Sequence, residues 1–264
     1  SFYTFQTLSY TIDIYRKKID HTEDAIAFFA FVSFFPQLVA GPIERAASLL
    51  PQFLRKREFE LDKAKDGLRQ MLWGFFKKVV IADNLAGHVN TIFDGYHSYD
   101  GFTLFLGVFF FAIQIYCDFS GYSDIAIGVA RLFGFSLMRN FAFPYFSRDI
   151  AEFWRRWHIS LSTWFRDYVY IPLGGSRTAT RGRHIANIII TFTVSGLWHG
   201  ANWTFVIWGF LNGVYYLPLL LAKQQKRNTD TVAEGRLLPS FREAGAMLLT
   251  FLITLFALVF FRAP

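Results

Sequence analysis

The sequence predicts an all-α polytopic membrane protein, and three observations carry that prediction. Residues Ile185 to Ala222 contain no Lys, Arg, Asp or Glu, a run long enough to enter a bilayer and return. The composition is 53% hydrophobic and 20% aromatic, with 33 Phe and a mean hydropathy of +0.28, above the ~45–50% apolar usage of soluble domains. The excess of basic residues, a net charge of +7, falls in short clusters between apolar runs: Arg16-Lys17-Lys18, Arg55-Lys56-Arg57, Arg177 to Arg183 and Lys223 to Arg227. Clusters of that kind mark cytoplasmic ends under the positive-inside rule. They do not form the single basic face of a nucleic-acid binder, and no nucleic-acid motif accompanies them.

Taken in order, Ser1 to Lys18 is aromatic and closes on a basic cluster, as the cytoplasmic or interfacial end of a helix does. Ala25 to Ala40 is strongly apolar but shorter than the ~20 residues of a span, and Pro36 with Gly41-Pro42 predicts a broken or re-entrant segment. Arg45 to Lys65 is charged, contains Pro51, and is expected in water or at the headgroups. Leu68 to Ala82 becomes apolar again, interrupted by Lys77-Lys78; adjacent helical residues point about 100° apart, so at least one lysine must snorkel or face a polar interior. Asn84 to Asp100 reads as a polar loop in which His88 and His97 are exposed.

Gly101 to Cys117 is the cleanest span, and Ile125 to Met138 follows almost at once. Asp118 and Asp124 therefore sit at or near membrane depth, where a carboxylate costs ~2.5–3.5 kcal/mol, and something must compensate them. Two readings stay open: a polar turn that keeps both in water, or carboxylates lining a cavity. Asn140 to Arg148, with Pro144, is a connector gripping the membrane surface.

Glu152 to Tyr168 reads as one amphipathic helix. At 100° per residue Trp154, Trp157, Leu161, Trp164 and Tyr168 gather in one arc, while Arg155, His158, Ser162 and Arg166 gather in another. The segment Ile171 to Ser176 ends it, and Arg177 to His184 makes a basic loop. A helix starting at Ile185 carries His199 about 21 Å inward at ~1.5 Å per residue, well into a ~30 Å hydrocarbon core. Gly196 and Gly200 bracket that histidine. The chain returns through Trp203 to Ala222, and after a polar loop to Glu243 another span begins at Met247 and runs to Phe261. With one cysteine, Cys117, an internal disulfide is excluded. No repeat or linker divides the chain, so residues 1–264 read as one membrane domain, an internal piece of a longer protein.

The sequence lacks a His-Glu-x-x-His zinc motif, a Gly-x-Ser-x-Gly elbow, a Walker loop and a dinucleotide fingerprint, and no metal site is expected. What remains is an intramembrane histidine, His199, and a second, His158, on a basic helix. An ionisable group at membrane depth marks a functional site by default, and a neutral imidazole is suited to taking a proton from a hydroxyl.

Four stretches, Phe34 to Ile43, Asp118 to Asp124, Trp154 to Gly175 and Trp198-His199-Gly200-Ala201, resemble the membrane-bound O-acyltransferase family. Within it they are similar to the bacterial branch of alginate O-acetyltransferase and D-alanyl-teichoic-acid transferase type. The resemblance runs along nearly the whole chain. It implies a ring of transmembrane and re-entrant helices around a tunnel in the inner, cytoplasmic membrane, with His199 as the family's essential histidine and His158 as its second functional position. It further implies an acyl donor such as acetyl-coenzyme A or an acyl-carrier thioester arriving from the cytoplasmic side, with no bound cofactor. The acceptor is a polysaccharide hydroxyl on the other side, or a periplasmic or extracellular acyltransferase partner. On that footing His158, Ser162 or Asn202 would hydrogen-bond the substrate or its oxyanion, Arg155, Arg166 and Arg177 would receive the carrier, and Asp118 would line the substrate path. The competing functions are a glycan or lipid transporter, with the histidines and Asp118 along its pathway, and a non-catalytic scaffold for polymer-modifying enzymes.

Overall fold

The structure, a computed structural model, describes residues 2–38, 41–225 and 227–263. Val39 and Ala40 of the expected broken segment, Lys226 of the last basic cluster, and the two terminal residues of the expected domain lie outside them. Among the described residues all regular structure is helical. The α-helices run in the order α1 Phe2–Tyr15, α2 Ala25–Val32, α3 Ala46–Leu54, α4 Leu61–Phe75, α5 Asp83–Asp94, α6 Gly101–Leu132, α7 Ile150–Arg156, α8 Ile159–Phe165, α9 Arg181–His199, α10 Trp203–Leu221 and α11 Phe241–Arg262. Three of them, α6, α10 and α11, are long and apolar enough to cross a membrane.

The chain divides into two compact units. The first comprises Ser1–Leu85 and Ile113–Asn140, the second Ala86–Ala112 and Phe141–Pro264.

In the first unit the apolar segment after Ala25 is broken as its prolines require, an α-helix to Val32 followed by a 3-10 turn over Phe35–Gln37 with Pro36 inside it. Its buried face, Ala27, Phe31 and Phe34, packs on Ala46, Leu49 and Leu50 of α3 and on Ala130 and Phe135. The helix α3 falls inside the charged stretch Arg45 to Lys65 that is expected in water or at the headgroups. The apolar residues of Ala-Ala-Ser-Leu-Leu-Pro-Gln-Phe-Leu recur at helical spacing and are drawn onto that core, and Pro51 is accommodated inside the helix. The polar loop expected from Asn84 is also helical: α4 passes through a π-helical stretch, Phe76–Ala82, straight into α5. His88 and His97 are exposed, as expected.

Helices α4 and α6 meet through glycines. A β-carbon on Gly74 would lie 2.6 Å from the Gly121 carbonyl oxygen, and one on Gly67 2.8 Å from that of Gly128. The pairs recur at seven-residue spacing on both helices, so two backbones approach along a shared stripe, the usual way for helices to associate where lipid removes the hydrophobic drive.

Neither turn nor gap separates Asp118 from Asp124, because α6 continues through both for 32 residues. The compensation comes from the opposite helix. Lys77 Nζ lies 2.5 Å from Asp124 Oδ2 and 2.9 Å from Ser120 Oγ, and Gln70 Nε2 donates to Asp124 Oδ1 at 2.8 Å. Lys78 pairs with Asp118 at 2.5 Å and with Asp83 at 2.7 Å. The two lysines occupy the wide π turn; Lys77 is buried, whereas Lys78 stays 40% exposed. One faces a polar interior and the other reaches out, the division their adjacency demands.

Glu44, in the connector before α3, is buried and accepts a hydrogen bond from the Met138 backbone N–H at 2.5 Å. Burial pushes its carboxyl from 4.5 up to about 7, opposed by that hydrogen bond and by the neighbouring Arg45 charge. The folded state therefore holds a proton here that the unfolded chain has released, so the contribution to stability is complete below pH 4.5 and is lost as pH rises through about 7. The thermal midpoint of the detergent-purified full-length protein is expected to fall between pH 5 and 8 by more in wild type than in Glu44→Gln, which keeps the acceptor and cannot ionise. Parallel pH profiles for the two would refute this.

In the second unit α9 and α10 form a hairpin. A β-carbon on Gly196 would collide with the Phe205 carbonyl oxygen and reach 3.1 Å from Gly209 Cα, while one on Gly209 would collide with the Phe192 carbonyl oxygen. The expected long amphipathic helix from Glu152 is instead three pieces. Helix α7 stops at Arg156, His158 takes the left-handed conformation (φ 43°), α8 restarts at Ile159, and a π-helical turn spans Arg166–Tyr170. Helical periodicity counted across that break therefore groups residues that do not share a face.

Candidate functional site

The two histidines converge in the second unit. His199 is the last residue of α9, about 27 Å along it from Arg181 at ~1.5 Å per residue. Gly200 and Ala201 then turn the chain into α10, where Asn202 acts as N-cap and its Oδ1 accepts from the Thr204 N–H at 3.2 Å. The His199 ring is surrounded by aromatics at its own end of the hairpin and from α11: Trp198 at 4.8 Å, Phe261 at 5.0 Å, Trp208 at 5.2 Å and Phe205 at 6.2 Å between centroids. It is only part-buried, and among the described residues neither ring nitrogen makes a hydrogen bond. The imidazole is thus neither sealed nor out in water. It is held by apolar faces, with both nitrogens left for a ligand.

His158 is buried against Phe141, 6.3 Å between rings, and lies near enough to His199 for a charge on one ring to act on the other. Its left-handed backbone is uncommon for a residue bearing a side chain. Such a conformation persists only where the surroundings enforce it, and it tends to gather at functional positions. The enforcement here is legible. On the α7 side Asp149 Oδ1 caps the helix by accepting from the Glu152 N–H at 2.7 Å. The buried Arg148 grips Glu152 (Nη2 to Oε1, 3.0 Å), Asp230 (3.0 Å) and Glu243 (3.5 Å), and Arg156 also reaches Glu152 at 2.6 Å. Those hydrogen bonds, to Glu152 foremost, hold the guanidinium above its already basic range, and Arg148 in turn holds the Asp230 carboxyl below the usual one. The result ties α7 to the segment before α11, and so fixes the start of the turn that carries His158.

The other predicted site residues are placed elsewhere. Arg155 donates to the backbone oxygens of Gln225 (2.9 Å) and Asn228 (2.6 Å), strapping that segment rather than facing the histidines. Arg166 is exposed and bonded to its neighbour Asp167 at 2.8 Å. Ser162 Oγ donates to the Trp157 carbonyl at 3.1 Å across the helix break. Asn202 is exposed and serves its cap, and Asp118 belongs to the first unit, paired with Lys78. Among the described residues no group of three His, Cys, Asp or Glu side chains is gathered for a metal.

Sequence reading missed the aromatic wall. Trp208 lies nine residues beyond His199 and Phe261 lies 62 beyond it on another helix, so no spacing rule links them. Trp154 packs on Phe192 (5.3 Å) and Trp208 (5.9 Å).

The family model of the membrane-bound O-acyltransferases matches residues 14–259. The chain is 49% identical over 215 residues to "Probable alginate O-acetylase AlgI" of Azotobacter vinelandii, covering 81% of this chain and 42% of that protein. It is 39% identical to "Peptidoglycan O-acetyltransferase" of Helicobacter pylori (81% and 45% covered) and 31% identical to "Teichoic acid D-alanyltransferase" of Streptococcus thermophilus (79% and 54% covered). The chain spans about half the length of these curated relatives. With the family model matched over residues 14–259, and with helices alone and three apolar spans among its described residues, the chain belongs to the membrane-bound O-acyltransferase family.

Proposed function

We propose that this chain carries the catalytic centre of a multi-pass inner-membrane O-acyltransferase. In this reading it moves an acyl group, acetyl in the first instance, from a cytoplasmic-side thioester to a hydroxyl of an extracytoplasmic polysaccharide or of a partner enzyme. The observation that carries it is His199: an imidazole at the end of an apolar hairpin, walled by aromatics, with neither nitrogen bonded among the described residues. His199 accepts the proton of the acceptor hydroxyl as its oxygen attacks the acyl carbonyl. The new C–O bond forms, the C–S bond breaks, and the proton passes to the departing thiolate. Donor and acceptor supply every atom, so no resident cofactor is required. His158, buried at the break between α7 and α8, orients the reacting groups. The names of the relatives favour acetyl over D-alanyl and a cell-envelope polymer as the final acceptor.

Mass spectrometry of surface polymer from a strain with and without the full-length gene tests this. Ester-linked acyl groups are expected to disappear with the gene and return with it. Unchanged acylation, or movement of unmodified polymer without any dependence on a thioester, would overturn the reading.

A further inference from the structure

A buried indole N–H ordinarily finds an acceptor, and an unpaired one calls for an explanation. In Trp154 the Nε1 atom is shut off from water and has no hydrogen-bond partner among the described residues, although the indole as a whole is only part-buried. Its place is specific. Trp154 stands on α7, four residues before His158, and its ring packs at 5.9 Å on Trp208, which itself lies 5.2 Å edge-on to His199. The Arg148 to Glu152 pair and the Asp149 cap fix the helix that bears it.

We propose that Trp154 Nε1–H is a hydrogen-bond donor to the substrate's acyl carbonyl, stabilising the oxyanion that forms when the acceptor oxygen attacks. The indole nitrogen is donor-only, so its complement must be an acceptor. Of the groups the transfer brings together, the hydroxyl must present its proton to His199, while the carbonyl oxygen only accepts and gains negative charge. A donor kept dry until that charge appears stabilises it more strongly than one already bonded to water. Of the residues nominated above for that oxygen, Ser162 and Asn202 are engaged with backbone.

This inference rests on the acyltransferase reading, and the test separates the two. Membranes carrying the full-length protein are supplied with acetyl-coenzyme A and polymer extracted from the same cells, and release of free thiol is followed. Trp154 is replaced by Phe and, through an expanded code, by 3-benzothienylalanine, which keeps the fused ring and its packing but has no N–H. The expected result is a fall in kcat of about 10²-fold for both variants, with KM for acetyl-coenzyme A changed less than about threefold. If wild type is active and the benzothienyl variant keeps its kcat, Trp154 is a packing residue and the proposal fails, whatever KM does. If wild type releases no thiol in response to donor and polymer, the acyltransferase reading itself is overturned.

Discussion

His199→Ala in the full-length protein is expected to lower acyl transfer by ~10²–10⁴-fold, the contribution of a positioned general base, while its amount in the membrane stays near wild type. The asymmetry follows from where the ring sits. It closes α9 rather than filling its interior, is only part-buried, and makes no hydrogen bond among the described residues. Its removal therefore leaves no buried partner unsatisfied, and what is lost in packing is ring contact with Trp208 and Phe261. His199→Gln preserves much of that volume and cannot act as a base, so it should be as inactive as the alanine variant. Transfer is measured on purified protein as acyl ester formed per enzyme, beside the fraction running as a single species in detergent. Ordinary turnover by either variant would remove His199 from the chemistry. An inactive Ala variant beside an active Gln variant would reassign the ring to packing.

Much of this was legible in the sequence because lipid makes charge rare. In a stretch without Lys, Arg, Asp or Glu for 38 residues, one histidine between two glycines stands out, and the hairpin that carries it is where the apolar run placed it. The demand that something compensate Asp118 and Asp124 was equally readable, since a carboxylate at that depth needs a partner. The partners were not readable. Asp118 is paired with Lys78, 40 residues upstream, and Asp124 with Lys77, 47 upstream, through a π-helical turn that no periodicity announces. The same limit explains the helix read across His158. Arg155, His158, Ser162 and Arg166 share a face only if the chain stays helical between them, and the left-handed residue at 158 resets the count. Composition also hid α3, whose apolar face is three buried residues inside a charged stretch.

The ion pair inside the first unit gives the second large effect. Lys77 is buried and its ammonium is held by Asp124 at 2.5 Å and Ser120 at 2.9 Å. Removing the carboxylate in Asp124→Leu leaves that charge with a hydroxyl for company between two helices packed glycine to glycine. Breaking a buried pair from one side costs ~3–5 kcal/mol, whereas replacing both members by apolar groups of similar volume is often neutral. Asp124→Leu is therefore expected to lower the thermal midpoint of the detergent-purified full-length protein on the order of 10 °C. Lys77→Met should cost less, because Asp124 keeps Gln70 and is itself 22% exposed. The double variant Lys77→Met, Asp124→Leu should recover most of the loss, giving a coupling energy that adjacent but independent sites would not show. Should Asp124→Leu melt with wild type, Lys77 must have another route to water, and the pair would not be what carries α6 through the membrane with two carboxylates on it. Should the double variant fall as far as the sum of the singles, the cost belongs to lost packing rather than to a stranded charge.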